Sequence, residues 1–159
     1  MNKFFAVLRL LMGWTFFWAF FDKLYGLGFA TPKEGAWLNG GSPTFGFLNF
    51  ATKGPFAEFF KSLAGAVWLD WFFMATLLLI GTALILGIGM KLASWGGALW
   101  LVLMYLAGFM PPEHNPFLDE HLINATILLG LSTSNAGETW GLGKWWGSLS
   151  FVKQFPILK

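Results

Sequence analysis

The sequence has 159 residues, enough for one domain, and no cysteine, which excludes disulfides, a cysteine nucleophile, thiolate metal sites and a cysteine-ligated iron–sulfur cluster within this chain. It is 56% hydrophobic and 11% charged, with a mean hydropathy of +0.61, against about 25% charged residues in soluble domains, so the composition is that of an integral membrane protein. The net charge of +2 and pI near 9.0 come from lysines set singly between apolar segments, not from a basic run, which excludes a nucleic-acid partner.

Residues 4–21, FFAVLRLLMGWTFFWAFF, form the first apolar segment, just long enough to span. Gly28-Phe29-Ala30 loosely mimics a signal-peptide cleavage site, but Arg9 interrupts a run that a signal peptide keeps uncharged, so an uncleaved helix over about 4–25 is predicted. Arg9 and Lys23 share one face at its opposite ends, with Gly13, Phe16 and Phe20 between them. Arg9 either snorkels to the nearer interface or faces the interior. Asp22-Lys23 closes the helix as an interfacial ion pair.

Residues 26–66 read as a long outer loop, broken by six glycines before Phe47 and by Pro32 and Pro43. Its NGGSPTFGFLN segment (39–49) reads as a turn followed by a short aromatic stretch. Gly54-Pro55 opens a short amphipathic helix with Phe56, Phe59, Phe60 and Leu63 on one face, an interfacial anchor or a cap over a site. A second membrane helix is predicted over 67–90, with Asp70 near its start and Gly81, Gly87 and Gly89 for close packing. Gly87-Ile88-Gly89 lacks the third glycine and the context of a dinucleotide motif. Lys91 marks a tight turn, and a third helix over 92–110 ends at Pro111-Pro112. Asn115 as N-cap and Pro116 at the first helical position predict a fourth helix over 116–134, stopped by Asn135-Ala136-Gly137. The tail, 138–159, carries Trp140, Trp145 and Trp146 with Lys144, Lys153 and Lys159 and reads as an interfacial belt.

The expected fold is therefore an all-α integral membrane protein: one domain over 1–159, a four-transmembrane-helix antiparallel bundle, and a long outer loop carrying a short amphipathic helix. Four spans put both termini and the Lys91 turn on one side. Counting Arg9 as snorkelled, that side holds six Lys and Arg against four, so both termini are expected in the cytoplasm of a plasma membrane. The clustered acids then lie at the outer face. Glu113, His114, Asp119, Glu120 and His121 crowd the mouth of the fourth helix, and Asp119 and Glu120 fall at the positive end of its dipole. They are either functional ionisable groups at a membrane lip or an ordinary solvated cap. A metal site from His114, His121, Asp119 and Glu120 lacks a fixed ligand spacing, so none is expected. Lys23, Asp70, Asp119 and His121 are expected to converge on one outer pocket roofed by the 26–66 loop.

The stretches LRLLMGWTFFWAFFDKL (8–24), NGGSPTFGFL (39–48), GPFAEFF (54–60), LDWFFMATLLLIGTALILGIGMKLA (69–93), NPFLDEHLINATILLGL (115–131) and AGETWGLGKWW (136–146) occur in an order that resembles the DoxX family. The chain is most similar to the DoxD-like branch, associated with the membrane subunit of thiosulfate:quinone oxidoreductase. The resemblance implies a four-helix membrane bundle, polar sites at Arg9, Lys23, Asp119 and His121, and a link to quinone reduction by an inorganic sulfur donor.

Two functions follow. In the first, the chain is a redox subunit with quinone as electron acceptor and a second redox subunit or another copy as partner. His121 gives a proton to a quinone carbonyl, Asp119 or Asp70 relays it, Lys23 attracts an anionic donor, and Arg9 belongs to the binding residues. No flavin, haem or iron–sulfur motif is present. In the second, the chain is a non-catalytic membrane anchor or assembly module for a redox partner.

Overall fold

A computed structural model describes residues 2–159. Three apolar runs without internal proline become three long helices: α1 (Asn2–Tyr25), α3 (Val67–Leu86) and α4 (Met90–Met104). α4 continues through a π-helical turn, Tyr105–Phe109. All three are long and apolar enough to cross a membrane. The remaining helices are α2 (Ala57–Lys61), α5 (Glu120–Ser132), α6 (Gly143–Ser148) and α7 (Ser150–Gln154), and no strand occurs among the described residues.

α1 packs on α3, and α4 on both α3 and α5. The pairings are antiparallel: Gly13 lies against Ile85 and Gly81 against Phe17, while Phe73 meets Trp100 and Gly97 meets Leu128. Gly81 is the point of closest approach, since a Cβ there would stand 2.6 Å from the Phe17 backbone nitrogen; small residues permit such helix contacts. Phe16, Met74, Leu77, Leu84 and Leu128 fill the core between these helices. Their outward faces are also apolar, with Leu11, Trp14, Leu79 and Leu99 all exposed, a surface that soluble monomers rarely present.

Two expected boundaries are corrected. α3 stops at Leu86, not near residue 90, because Gly87 takes the left-handed conformation (φ 72°) and its N–H closes on Ala83. The fourth helix is α5 alone, 13 residues beginning at Glu120. At about 20 Å it is shorter than the roughly 30 Å hydrocarbon layer. Asn115 does cap, but only an isolated turn, accepting from the N–H groups of Phe117 and Leu118 at 2.9 Å each. Asp119 takes the N-cap of the helix itself, accepting from His121 and Leu122. The tail is folded, with Trp140 and Trp145 left exposed. Val152 is fully buried, and the Trp146 indole N–H donates to the Leu158 carbonyl.

Candidate functional site

The 26–66 loop is held by two buried aspartates. Asp22 ends α1 and accepts from the N–H groups of Phe29 (3.2 Å) and Ala30 (2.9 Å). It is thus a loop anchor rather than half of the expected ion pair with Lys23. Asp70, in the first turn of α3, accepts through one oxygen from the Ser42 hydroxyl (2.9 Å), the Thr44 hydroxyl (2.6 Å) and the Thr44 N–H (3.2 Å). Hydrogen bonds to a charged acceptor contribute about 1.5–3 kcal/mol each, which is how a glycine-rich segment keeps one conformation over the helix ends.

Beneath that loop lies a cavity of about 400 Å³, within the range of small-ligand sites, about 300–1,000 Å³. Its walls are aromatic and aliphatic. Phe47 comes from the loop, Phe60 from α2, Phe73 from α3 and Trp100 from α4, and Lys23 is its one charged wall residue. The Lys23 ammonium stands 5.6 Å from the centre of the Phe73 ring, inside the reach of a cation–π contact. Phe73 and Trp100 lie 5.3 Å apart at 43°. Among the described residues Lys23 has no carboxylate at ion-pair distance. The arrangement suits a flat apolar molecule with a carbonyl or anionic edge turned to the ammonium. Asp70 does not line the cavity; it acts on it through Thr44, which does.

Asp119 and His121 form a second polar unit. Asp119 Oδ2 lies 2.7 Å from His121 Nδ1, while Oδ1 caps α5, and both side chains are 13% exposed. The carboxylate places a proton on Nδ1 and fixes the imidazole, leaving Nε2 without a protein partner among the described residues. Such a pair can exchange a proton at Nε2. Its ring lies on Phe109 at 4.2 Å, and Phe109 stacks on Phe47 at 6.2 Å and 18°. The expected single pocket is therefore two neighbouring sites. Lys23 and the Asp70-held loop form one, and Asp119–His121 stands on the far side of the Phe109–Phe47 stack. Glu113, His114 and Glu120 are exposed.

Of its two expected courses Arg9 takes the inward one, but away from the binding residues with which it was grouped. It is fully buried and does not snorkel. Its guanidinium donates to the carbonyls of Leu84, Ile85 (2.7 Å), Thr139 (3.3 Å) and Trp140 (3.0 Å). It thus joins the end of α3 to the tail, about 21 Å along α1 from Lys23, and is not part of the cavity. The aromatic walls, Phe47, Phe73 and Trp100, were not singled out from sequence. The signal was the aromatic load of 19%, which does not say which rings face inward.

Comparison with protein-family models, with curated proteins and with solved structures found no match.

Proposed function

We propose that this chain is a multi-pass plasma-membrane subunit that binds a quinone in the Lys23 cavity and takes part in its reduction, as the resemblance to the DoxX family and its DoxD-like branch implies. The observation that carries the reading is the cavity, aromatic on its walls and furnished with a single ammonium. A quinone ring is flat and apolar with carbonyls at its edges. The Lys23 ammonium donates a hydrogen bond to one carbonyl and stabilises the negative charge that arriving electrons place there. Reduction to the quinol takes two electrons and two protons. The electrons come from an inorganic sulfur donor such as thiosulfate, directly or through a second redox subunit. Asp119–His121 resupplies protons from the outer face.

On this reading α1, α3, α4 and α5 make four antiparallel crossings, the last completed by the proline turn before α5. With Arg9 committed to backbone carbonyls, Lys3, Lys91, Lys144, Lys153 and Lys159 stand on one side against Lys23, Lys33, Lys53 and Lys61, five to four. The surplus sets both termini in the cytoplasm.

A second reading, a non-catalytic assembly module, draws on a different observation: Asp22, Asp70 and Asp119 all accept backbone N–H groups, as structural anchors do. Purification in mild detergent tests both. Extracted quinone, and quinone reduction with thiosulfate that is lost in Lys23→Met, support the first. A stoichiometric soluble partner with no quinone and no turnover replaces it with the second.

A further inference from the structure

The larger cavity lies at the opposite end of the helices, around the Gly87–Met90 turn, the end of α5 and the folded tail. It measures about 820 Å³. Lys91, Lys144, Lys153 and Lys159 line it, and Glu138 is its one carboxylate. These lysines are scattered in sequence and brought together by the fold of the tail. The Lys91 N–H donates to the Lys159 carbonyl at 2.8 Å, and the Trp146 indole ties α6 to Leu158. Among the described residues none of the four ammoniums has a carboxylate at ion-pair distance.

The charge balance decides what such a pocket attracts. The C-terminus of α5 brings about half a negative charge, and Glu138 brings one more. The α5 end is further muted, because the hydroxyls of Ser132, Thr133 and Ser134 donate to the carbonyls of Leu129, Gly130 and Leu131. Four ammoniums in one concavity exceed both contributions, leaving a net positive charge focused on the pocket.

Its wall also continues onto an apolar stripe. Trp95 lines the pocket and stands on the same face of α4 as Leu92 and Leu99, and all three are exposed. A ligand with an anionic head in the pocket and an apolar tail along α4 fits both surfaces. We propose that this pocket binds a phosphate-type oxyanion, supplied by the head group of an anionic phospholipid. The proposal goes beyond the quinone site and shares with it only the membrane placement.

The test uses the full chain in nanodiscs of phosphatidylcholine, with thermal melting read as phosphatidylglycerol is titrated in, and inorganic phosphate added to separate discs. Phosphatidylglycerol should raise the melting temperature. Each lysine is expected to contribute about five-fold to lipid affinity, so Lys144→Ala with Lys153→Ala should weaken it about 25-fold. Both side chains are exposed, so the double variant should fold. Lys33→Ala with Lys53→Ala, which removes the same charge at the other end, should change nothing. Stabilisation by inorganic phosphate alone, lost in the tail variant, would keep the oxyanion site and overturn the lipid as its source. No stabilisation by either, or equal loss in both double variants, would overturn the site. A chain that fails to enter the discs at all would overturn the membrane placement, leaving the quinone cavity to be tested in detergent.

Discussion

Arg9→Leu removes a side chain that hydrogen-bonds both sides of the Leu84–Trp140 junction. In a regular helix the Ile88 N–H would serve Leu84, but it bonds back to Ala83 instead, along with that of Gly87. The carbonyls of Leu84 and Ile85 thus rely on the guanidinium, and those of Thr139 and Trp140 receive its other nitrogen. A buried acceptor left unpaired costs about 1–3 kcal/mol. Two such acceptors at the α3 end cost about 2–6 kcal/mol, and relief of the arginine's own desolvation brings the net loss to about 2–4 kcal/mol. For a chain of this size that corresponds to a fall in Tm of about 4–16 °C. Arg9→Lys keeps the charge but not the planar fork that spans four oxygens, and should recover only part of the loss. Detergent melting followed by tryptophan fluorescence reads both variants. An Arg9→Leu melt within about 2 °C of the parent would refute the argument, and with it the structural role of the arginine.

Because the chain has no cysteine, single introduced cysteines report sidedness. Those at Lys91 and Lys159 should be protected from an impermeant thiol reagent in intact cells and one at Asn39 labelled; the reverse pattern inverts the topology. Asp70→Ala should lower quinone affinity without touching the ligand, by freeing Thr44 from the cavity wall, and Ser42→Ala should do so more mildly; unchanged affinity in Asp70→Ala would show that the loop holds without its anchor. His121→Gln should keep quinone binding, because the Phe109–Phe47 stack separates it from the cavity, and should slow turnover only through proton resupply, by less than the about 10²-fold that a directly placed general acid supplies. Glu120→Gln, exposed and about 100° away round α5, should be near neutral, and equal rates in the two variants would remove His121 from the proton path.

The long helices were legible because hydropathy is a local property: they were expected over 4–25, 67–90 and 92–110, where apolar residues dominate and charges are few. The start of α5 was not, because Asn115 and Asp119 are both competent caps four residues apart. Only the fold shows that the first closes a turn and the second a helix. Lys23 was legible as a polar group on a helix mouth beneath the 26–66 loop, whereas the aromatic walls of its cavity were not, since they come from four separate segments. Arg9 lay beyond sequence reasoning for the same reason. Its acceptors are 75 to 131 residues away, and a snorkelling arginine and a carbonyl-bound one look identical along α1. Asp22 misled through proximity: Lys23 is adjacent, yet the groups that bind the carboxylate are amides seven and eight residues on.

The arginine also imposes an order on biogenesis. If α1 enters the bilayer as it is made, Arg9 is presented 75 residues before its first acceptor exists. At a synthesis rate of about 5–20 residues per second, that interval is about 4–15 s. During it the nascent chain must shelter a bare cation, at the membrane surface, in the insertion machinery or against a chaperone. The last two acceptors arrive 130 and 131 residues after Arg9. A chain cut short before residue 139 therefore lacks at least half of the arginine's acceptors. Such a product carries within its first helix a cation whose partners in the tail are absent.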